Sequence, residues 1–596
     1  MSTSRRTKAR FGLTVAVIGL AAAATALATA AGPAWMRGSW VSPVATSLLA
    51  LSLLIPAVFR RQRRRSGAAP GSPAWRRRAL AVASLSALLL ATGVGGIGGV
   101  AAADNDPSGV NQPTADATAS VLPDDTPAKD APKALAGQVA NTRTAVNLTW
   151  LIVGGILVLF MQAGFALVET GFTRAKNANH TMMMNLVIFA LGVVGWWVCG
   201  YAFMFGSASG STIGLTALGG PIHIGSWNIL STHGFFLAGH AYDYAVAGFF
   251  FFQLVFMDAT ATIPTGAMAE RWKFTSFCLW GLFASMILYP LYGNWVWGGG
   301  WLSQLGAQGP QWGHGAVDFA GSGVVHAMGG VAAFWGAKAL GPRIGKYAKD
   351  GTPRAIPGHH IPMAFLGSFV LLVGWMGFNG ASTFAATDFR FTIVIVNTIL
   401  ASAAGCLTAM AVVWRKFGQP DPSMTINVLL AGLVAITAPC AFVTPWAAVL
   451  IGIIAGIVMV YAVLTVDQKL KVDDPVGAVA VHGMCGLWGV LAVGIFADGT
   501  YGAGLNGVDG PVKGLLYGDG GQFMAQLTSA VVLVAWCSLA CIVFFAISKK
   551  TIGMRVTEEQ EVMGLNAGEM GLQAYPNFME TPEDAPRTSV GAGSSN

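Results

Sequence analysis

Two stretches decide the fold: "DFAGSGVVHAMGG" at residues 318–330 and "DPVGAVAVHGMCG" at residues 474–486. Each opens on an Asp, carries a Gly three residues on, and sets a Val-His pair so that the His stands eight residues after the Asp. A Met follows two residues beyond the His, and a Gly two beyond that. The copies lie 156 residues apart, in surroundings where an ionisable residue is rare.

Those surroundings are apolar. Of 596 residues 54% are hydrophobic and only 10% are charged, against about 25% charged in soluble domains. Apolar runs near 20 residues recur along the chain, each long enough to cross a hydrocarbon core of about 30 Å. The 77 glycines suit close helix–helix approach in lipid. The fold class is an all-α polytopic membrane protein. A formal charge of +8 could suggest a nucleic-acid partner, but eight arginines of "RRQRRRSGAAPGSPAWRRR" (residues 60–78) account for all of it. A basic cluster between apolar segments is a topology anchor. The seven cysteines show no CxxC spacing, so neither a zinc site nor a disulfide framework is expected.

The chain divides into four parts. Residues 1–103 hold apolar stretches at about 11–31, 42–59 and 79–103, the last ending in small residues at Ala101 and Ala103. That ending resembles a signal-peptide cleavage site, and the segment is either cleaved there or retained as a helix. Residues 104–143, rich in Asp, Ala, Pro and Thr, read as a disordered extracytoplasmic linker. Residues 144–550 contain eleven expected spans, near 146–171, 181–205, 243–268, 274–296, 321–340, 359–380, 391–414, 426–442, 444–465, 476–497 and 523–548. Residues 551–596 form a C-terminal tail. Lys and Arg concentrate in alternate loops, such as "TRAKNANH", "ERWKF", "KALGPRIGKYAKDGTPR" and "DQKLKVDD". The positive-inside rule then places residue 145 outside and the C-terminus in the cytoplasm.

With that topology the duplicated motif acquires geometry. Spans five and ten run in opposite directions. Each Asp caps the free N–H groups of its own helix start. Eight residues of helix advance about 12 Å, against a half-membrane of about 15 Å. His326 and His482 therefore approach the midplane from opposite faces, the signature of an inverted repeat with its site at the repeat interface.

A neutral imidazole donates from one ring nitrogen and accepts at the other, so two facing rings can pass a proton, or a small polar hydride, along a narrow pore. Histidines satisfied by backbone carbonyls are the alternative, but intramembrane ionisable groups are costly and usually functional. Two His without a nearby acid make a poor metal ligand set. Aromatics gather on the route to the pair: Phe252 and Phe256 one helical turn apart, Trp297 at the outer end of span four, and Trp375, Phe378 and Ser382 toward the outer end of span six. Ring faces and a hydroxyl suit a small cation.

"AGFALVETGFTRAKN", "GAMAERWKF", "VWGGGW", "DFAGSGVVH", "GWMGFNGAS" and "VHGMCGLWGVLAVGIF" together resemble the ammonium transporter (Amt/Rh) family, Amt branch, over about residues 146–575. The resemblance implies an eleven-helix bundle with an inverted five-helix repeat, assembled as a homotrimer in the cell membrane, needing no cofactor and catalysing no reaction. It implies substrate binding at Trp297 and Ser382 supported by Asp318, a phenyl gate of Phe256 and Phe378 with Phe252 beside it, and twin pore histidines His326 and His482. The tail "EEQEVMGLNAGEMGLQAY" resembles the family's cytoplasmic tail, which couples protomers and meets PII-type signalling proteins. Asn566, Met570 and Leu572 depart from the family's usual Asp, His and Glu there.

The implied function is ammonium transport for nitrogen uptake, in which ammonium is recruited, deprotonated and conducted as ammonia. Electrogenic and neutral variants both fit the residues. A sensor using the same site is a second class, although no output domain follows residue 550. A membrane enzyme would need a nucleophile or a metal beside the histidines.

Overall fold

The computed structural model describes residues 130–500, 508 and 510–575. The expected apolar stretches before residue 104 and the segment 104–129 lie outside them. Among the described residues, nine helices are long and apolar enough to cross a membrane. They are α1 Ala131–Phe172, α2 Ala175–Phe205, α3 Tyr244–Met268, α4 Phe274–Trp297, α6 Ile361–Thr383, α7 Phe391–Phe417, α9 Pro445–Lys469, α10 Val479–Phe496 and α11 Gly520–Thr551. Two further helices, α5 at residues 322–340 and α8 Pro422–Ile436, occupy the remaining expected stretches. Helix α8 is short, and α5 carries a His, four Gly and a Lys in its apolar run. Both suit helices buried among others better than helices facing lipid.

Helix α1 starts earlier than the expected span, so residues 131–143 are helical where a linker was expected. The reason is local: Pro132 stands in the first turn, where a fixed φ and a missing N–H cost nothing, and the Ala-rich sequence behind it favours helix. At 1.5 Å per residue its 42 residues span about 63 Å, twice a hydrocarbon core. A short hairpin, β1 Ile222–Ile224 and β2 Trp227–Leu230, lies between α2 and α3 and turns at Gly225. It braces the turn after α4, since Asn228 donates to the Gly299 carbonyl at 2.9 Å and accepts from the Trp301 N–H at 2.8 Å.

Glycine seams record the inverted arrangement. Along α1 and α6, a Cβ at Gly377 would stand 2.6 Å from the Gly154 carbonyl oxygen, and one at Gly367 would stand 2.7 Å from that of Gly164. Rising numbers on α1 meet falling numbers on α6, so the first helices of the two halves are antiparallel. The histidine helices behave alike: Gly330 meets Gly483, and Gly486 meets Ala327. Small residues let these backbones touch where no hydrophobic force between helices exists.

The basic loops are tied by buried ion pairs. Arg343, between α5 and α6, binds Asp473, before α10, at 2.9 Å and Glu270, after α3, at 2.9 Å. Arg174, after α1, binds the same Glu270 at 2.5 Å. Burial alone would push the Asp473 carboxyl up, but Arg271 and Arg343 outweigh it and hold that group well below the usual carboxylate range. Breaking such a buried pair by removing one partner costs about 3–5 kcal/mol. The tail folds onto this surface through a short helix, α12 Glu558–Met563, with a Thr557/Gln560 capping box.

Candidate functional site

The motif spacing explains itself locally. Asp318 Oδ1 accepts the Gly321 N–H at 2.8 Å, and Oδ2 accepts those of Gly323 and Val324 at 2.8 and 2.9 Å. Asp474 repeats the cap, accepting from Gly477 at 2.9 Å and Val479 at 2.8 Å. The shared Gly, at φ 111° in Gly321 and 80° in Gly477, takes the left-handed turn that a side chain disfavours. Both helices then start with a wide turn, residues 322–327 and 479–484, which carries the histidine.

His326 and His482 meet Nδ1 to Nδ1 at 3.2 Å, with ring centroids 5.3 Å apart and planes at 24°. Two Nδ1 atoms at that distance share one proton, so one ring donates and the other accepts. His326 is fully buried, and its Nε2 meets no hydrogen-bond partner among the described residues. His482 keeps 5% of its surface and lies 6.1 Å from the Phe165 ring.

Above this pair the rings form one continuous file. Phe378 stacks on His326 at 5.4 Å, and Phe256 stands 4.1 Å from Phe378 at 33°. Phe252 packs on Phe256 at 4.8 Å, and the Trp297 ring lies edge-on to Phe256 at 6.2 Å. Trp297 is the partly exposed end of the file. Its indole Nε1–H donates to the Asp318 carbonyl at 2.6 Å. Ser382 Oγ donates to the Phe378 carbonyl at 2.7 Å, which leaves its lone pairs for an incoming donor.

Every expected site residue except Phe252, Ser382 and Asp318 is thus a link in the file itself, and those three adjoin it. Asp318 faces away: its carboxylate is occupied by the start of α5, and only its carbonyl reaches Trp297. It positions two site residues, Trp297 and His326, at once. Trp375 differs from expectation. It belongs not to the outer mouth but beside the histidines, stacked on His326 at 5.0 Å and 19°, with its Nε1–H on Thr437 Oγ1 at 2.8 Å. Its distance from Ser382, two helical turns along α6, carried that information. Phe384, in left-handed conformation at the end of α6, packs on Phe252 at 5.7 Å and gave no sequence signal. Met484 is exposed at 45%, and the Cys485 thiol points to the Ala455 carbonyl of α9.

A bundle of apolar helices, with two antiparallel glycine-seamed pairs and an aromatic file ending on paired histidines, defines a polytopic helical membrane protein. The Ammonium Transporter Family model matches residues 149–575. The ammonium transporter Amt2 of Archaeoglobus fulgidus is 47% identical over 454 residues, 75% of this chain and 92% of that protein. Amt1 of Haloferax mediterranei is 35% identical over 459 residues, covering 75% and 82%. Among solved structures, one titled Sensor Amt Protein superposes with a TM-score of 0.62 at 36% identity, covering 72% of this chain and 99% of its own. Candida albicans Mep2 superposes with a TM-score of 0.60 at 27% identity, covering 74% and 92%. The chain belongs to the ammonium transporter family. It is a multi-pass membrane transport protein for ammonium and not an enzyme.

Proposed function

We propose that the protein recruits ammonium at Trp297 and Ser382, strips its proton above His326, and conducts ammonia past the twin histidines. The observation that carries this reading is the unbroken file from Trp297 through Phe256 and Phe378 to the histidine pair joined at 3.2 Å. A bare cation in apolar surroundings loses its hydration. The Trp297 face and the Ser382 oxygen offset only part of that loss, so the neutral species is the one that passes the phenyl rings. Beyond them a ring nitrogen can accept an N–H of ammonia or donate to its lone pair. Potassium has no proton to surrender and gains nothing from this wire, which gives selectivity without a size filter.

The protein acts as a homotrimer in the cell membrane with its C-terminus cytoplasmic. The basic loops and the tail docked on them support that orientation. A PII-type signalling protein is the proposed partner of the tail. A sensing role at the same site is a second reading, favoured by the likeness to the Sensor Amt structure.

Proteoliposomes carrying the full-length protein test the function. Tracer methylammonium uptake should stand well above that of empty vesicles and should fall when unlabelled ammonium competes for the site, while added potassium should leave it unchanged. Equal uptake with and without protein would end the reading.

A further inference from the structure

Helix α3 carries a second ionisable group in the middle of the bundle. Asp258 follows the gate residue Phe256 by two positions, about 200° around the helix, and so faces away from the ring file. It is 2% exposed, and its Oδ1 meets no donor among the described residues. No Lys, Arg or His pairs with it among the described residues. Across from it lies α2, where a Cβ on Gly192 would come within 3.8 Å of Oδ1.

One turn further along α3, a polar file begins on the same face. Thr262 Oγ1 donates to Gln162 Oε1 of α1 at 3.0 Å, and Gln162 Nε2 donates to the Asn185 carbonyl of α2 at 2.7 Å. Asn185 Nδ2 donates to Glu169 Oε2 at 2.7 Å, and Thr265 Oγ1 reaches both Glu169 oxygens at 2.7 Å. Glu169 is 2% exposed and has no cationic partner among the described residues. The seam between α1, α2 and α3 therefore holds two carboxyl groups: Asp258 of α3, and Glu169 of α1, which is held by Thr265, seven residues or about 10 Å of helix along α3 from Asp258. Glu169 is fully hydrogen-bonded and Asp258 is not.

That contrast argues against a structural role for Asp258. A buried polar group without partners costs stability, and an apolar or amide replacement of similar shape would cost less. Local rules are broken in this way at functional positions, and an acid inside a membrane bundle marks a proton or ion pathway by default.

We propose that Asp258 is a proton-binding site of the transport cycle, separate from the histidine file, with Glu169 as the second carboxyl of the same seam. The proposal rests on the ammonium-transport reading. Ammonium gives ammonia and one proton; the Asp258 carboxylate takes that proton to become the neutral acid. It passes the same proton on to the Glu169 carboxylate, which releases it to the cytoplasm. No other co-reactant is required. Thr262, Gln162 and Asn185 fix the geometry of the seam.

The test uses full-length protein in proteoliposomes, measuring charge moved and tracer methylammonium taken up in the same preparation. Asp258→Asn and Asp258→Leu are expected to keep tracer uptake while the charge moved per tracer falls to background. Asp258→Glu should restore it. An unchanged charge-to-tracer ratio in both variants would overturn the proposal, as would a wild-type protein that moves tracer without charge. A wild-type protein that moves no tracer would instead refute the transport reading itself. If both substitutions prevent folding, infrared difference spectra of the wild type decide. Ammonium addition should change a protonated-carboxyl band, and a spectrum without such a change would overturn the proposal.

Discussion

Gly330→Ala tests whether the contact between the two histidine helices sets the function. A Cβ at Gly330 would overlap the backbone nitrogen and Cα of Gly483 and stand 2.8 Å from the His482 carbonyl carbon. Carbon pairs settle at about 3.5–4.0 Å, so that last contact alone separates α5 from α10 by about 0.7 Å or more, and the Gly483 overlap demands a further shift. All of these neighbours are backbone atoms, and none is a flexible side chain that could swing aside. The imidazole pair, 3.2 Å apart, would open to about 4 Å, beyond hydrogen-bond reach. Overpacking of this kind costs about 1–3 kcal/mol, which a bundle of this size tolerates, so the protein should still fold. Tracer uptake in proteoliposomes should fall sharply or lose its selectivity against potassium, while both histidines remain in place. A folded Gly330→Ala protein with wild-type uptake and wild-type selectivity would refute the reasoning.

Other perturbations separate the parts of the site. Trp297→Leu should weaken ammonium recognition with the pore assembled, whereas Phe378→Ala should change conduction more than recognition, both read from the concentration dependence of tracer uptake; identical effects would merge the two roles. The tail joint has a pH dependence of definite sign. Burial raises the Glu569 carboxyl above its ordinary value of 4.5, against the opposing Phe274 N–H and Lys273. A group raised by docking favours the docked state most at low pH and loses that contribution as pH rises through its docked value. The proton gained also suits His180, whose buried ring nitrogens lack partners among the described residues and whose Nε2 lies 3.9 Å from Glu569. A dye at the exposed Leu572 should therefore move less at about pH 5.5 than at about pH 8, and Glu569→Gln should remove the difference; a wild-type tail insensitive to pH contradicts this. N-terminal sequencing of the purified protein should give a start near Asp104 if the segment ending at Ala103 is cleaved, and the original Met1 if it is retained.

The duplicated Asp-Gly-His spacing carried most of what could be read ahead of the structure. A carboxylate cap and a fixed number of helical residues determine depth, and an odd number of crossings determines direction, so the meeting of His326 and His482 followed from local rules. Helical periodicity sets Phe252 and Phe256 on one face of their helix, whereas the pairing of Phe256 with Phe378 rests on the resemblance to the ammonium transporter family. Contacts made across helices were not. That the histidines meet through Nδ1 depends on the Gly330–Gly483 crossing, and that Trp375 backs His326 depends on Thr437, just beyond the end of α8. Asp258 drew no attention in a run read for its phenylalanines, since an orphaned oxygen becomes visible only when its neighbours are in place. Asn566 was noted only as a departure from the family. In the structure its Oδ1 accepts the N–H groups of Asn179 and His180 at 2.8 and 3.3 Å, and its amide donates to Ala175 at 2.9 Å, a donor that Asp would lack.

The paired histidines carry the central claim, and single substitutions reach it most directly. His326→Ala and His482→Ala protein should each be reconstituted, checked for retained fold, and challenged with ammonium and with potassium while uptake and current are recorded. The account predicts that each variant loses ammonium transport or admits potassium. Wild-type ammonium uptake with wild-type exclusion of potassium in both variants would contradict it.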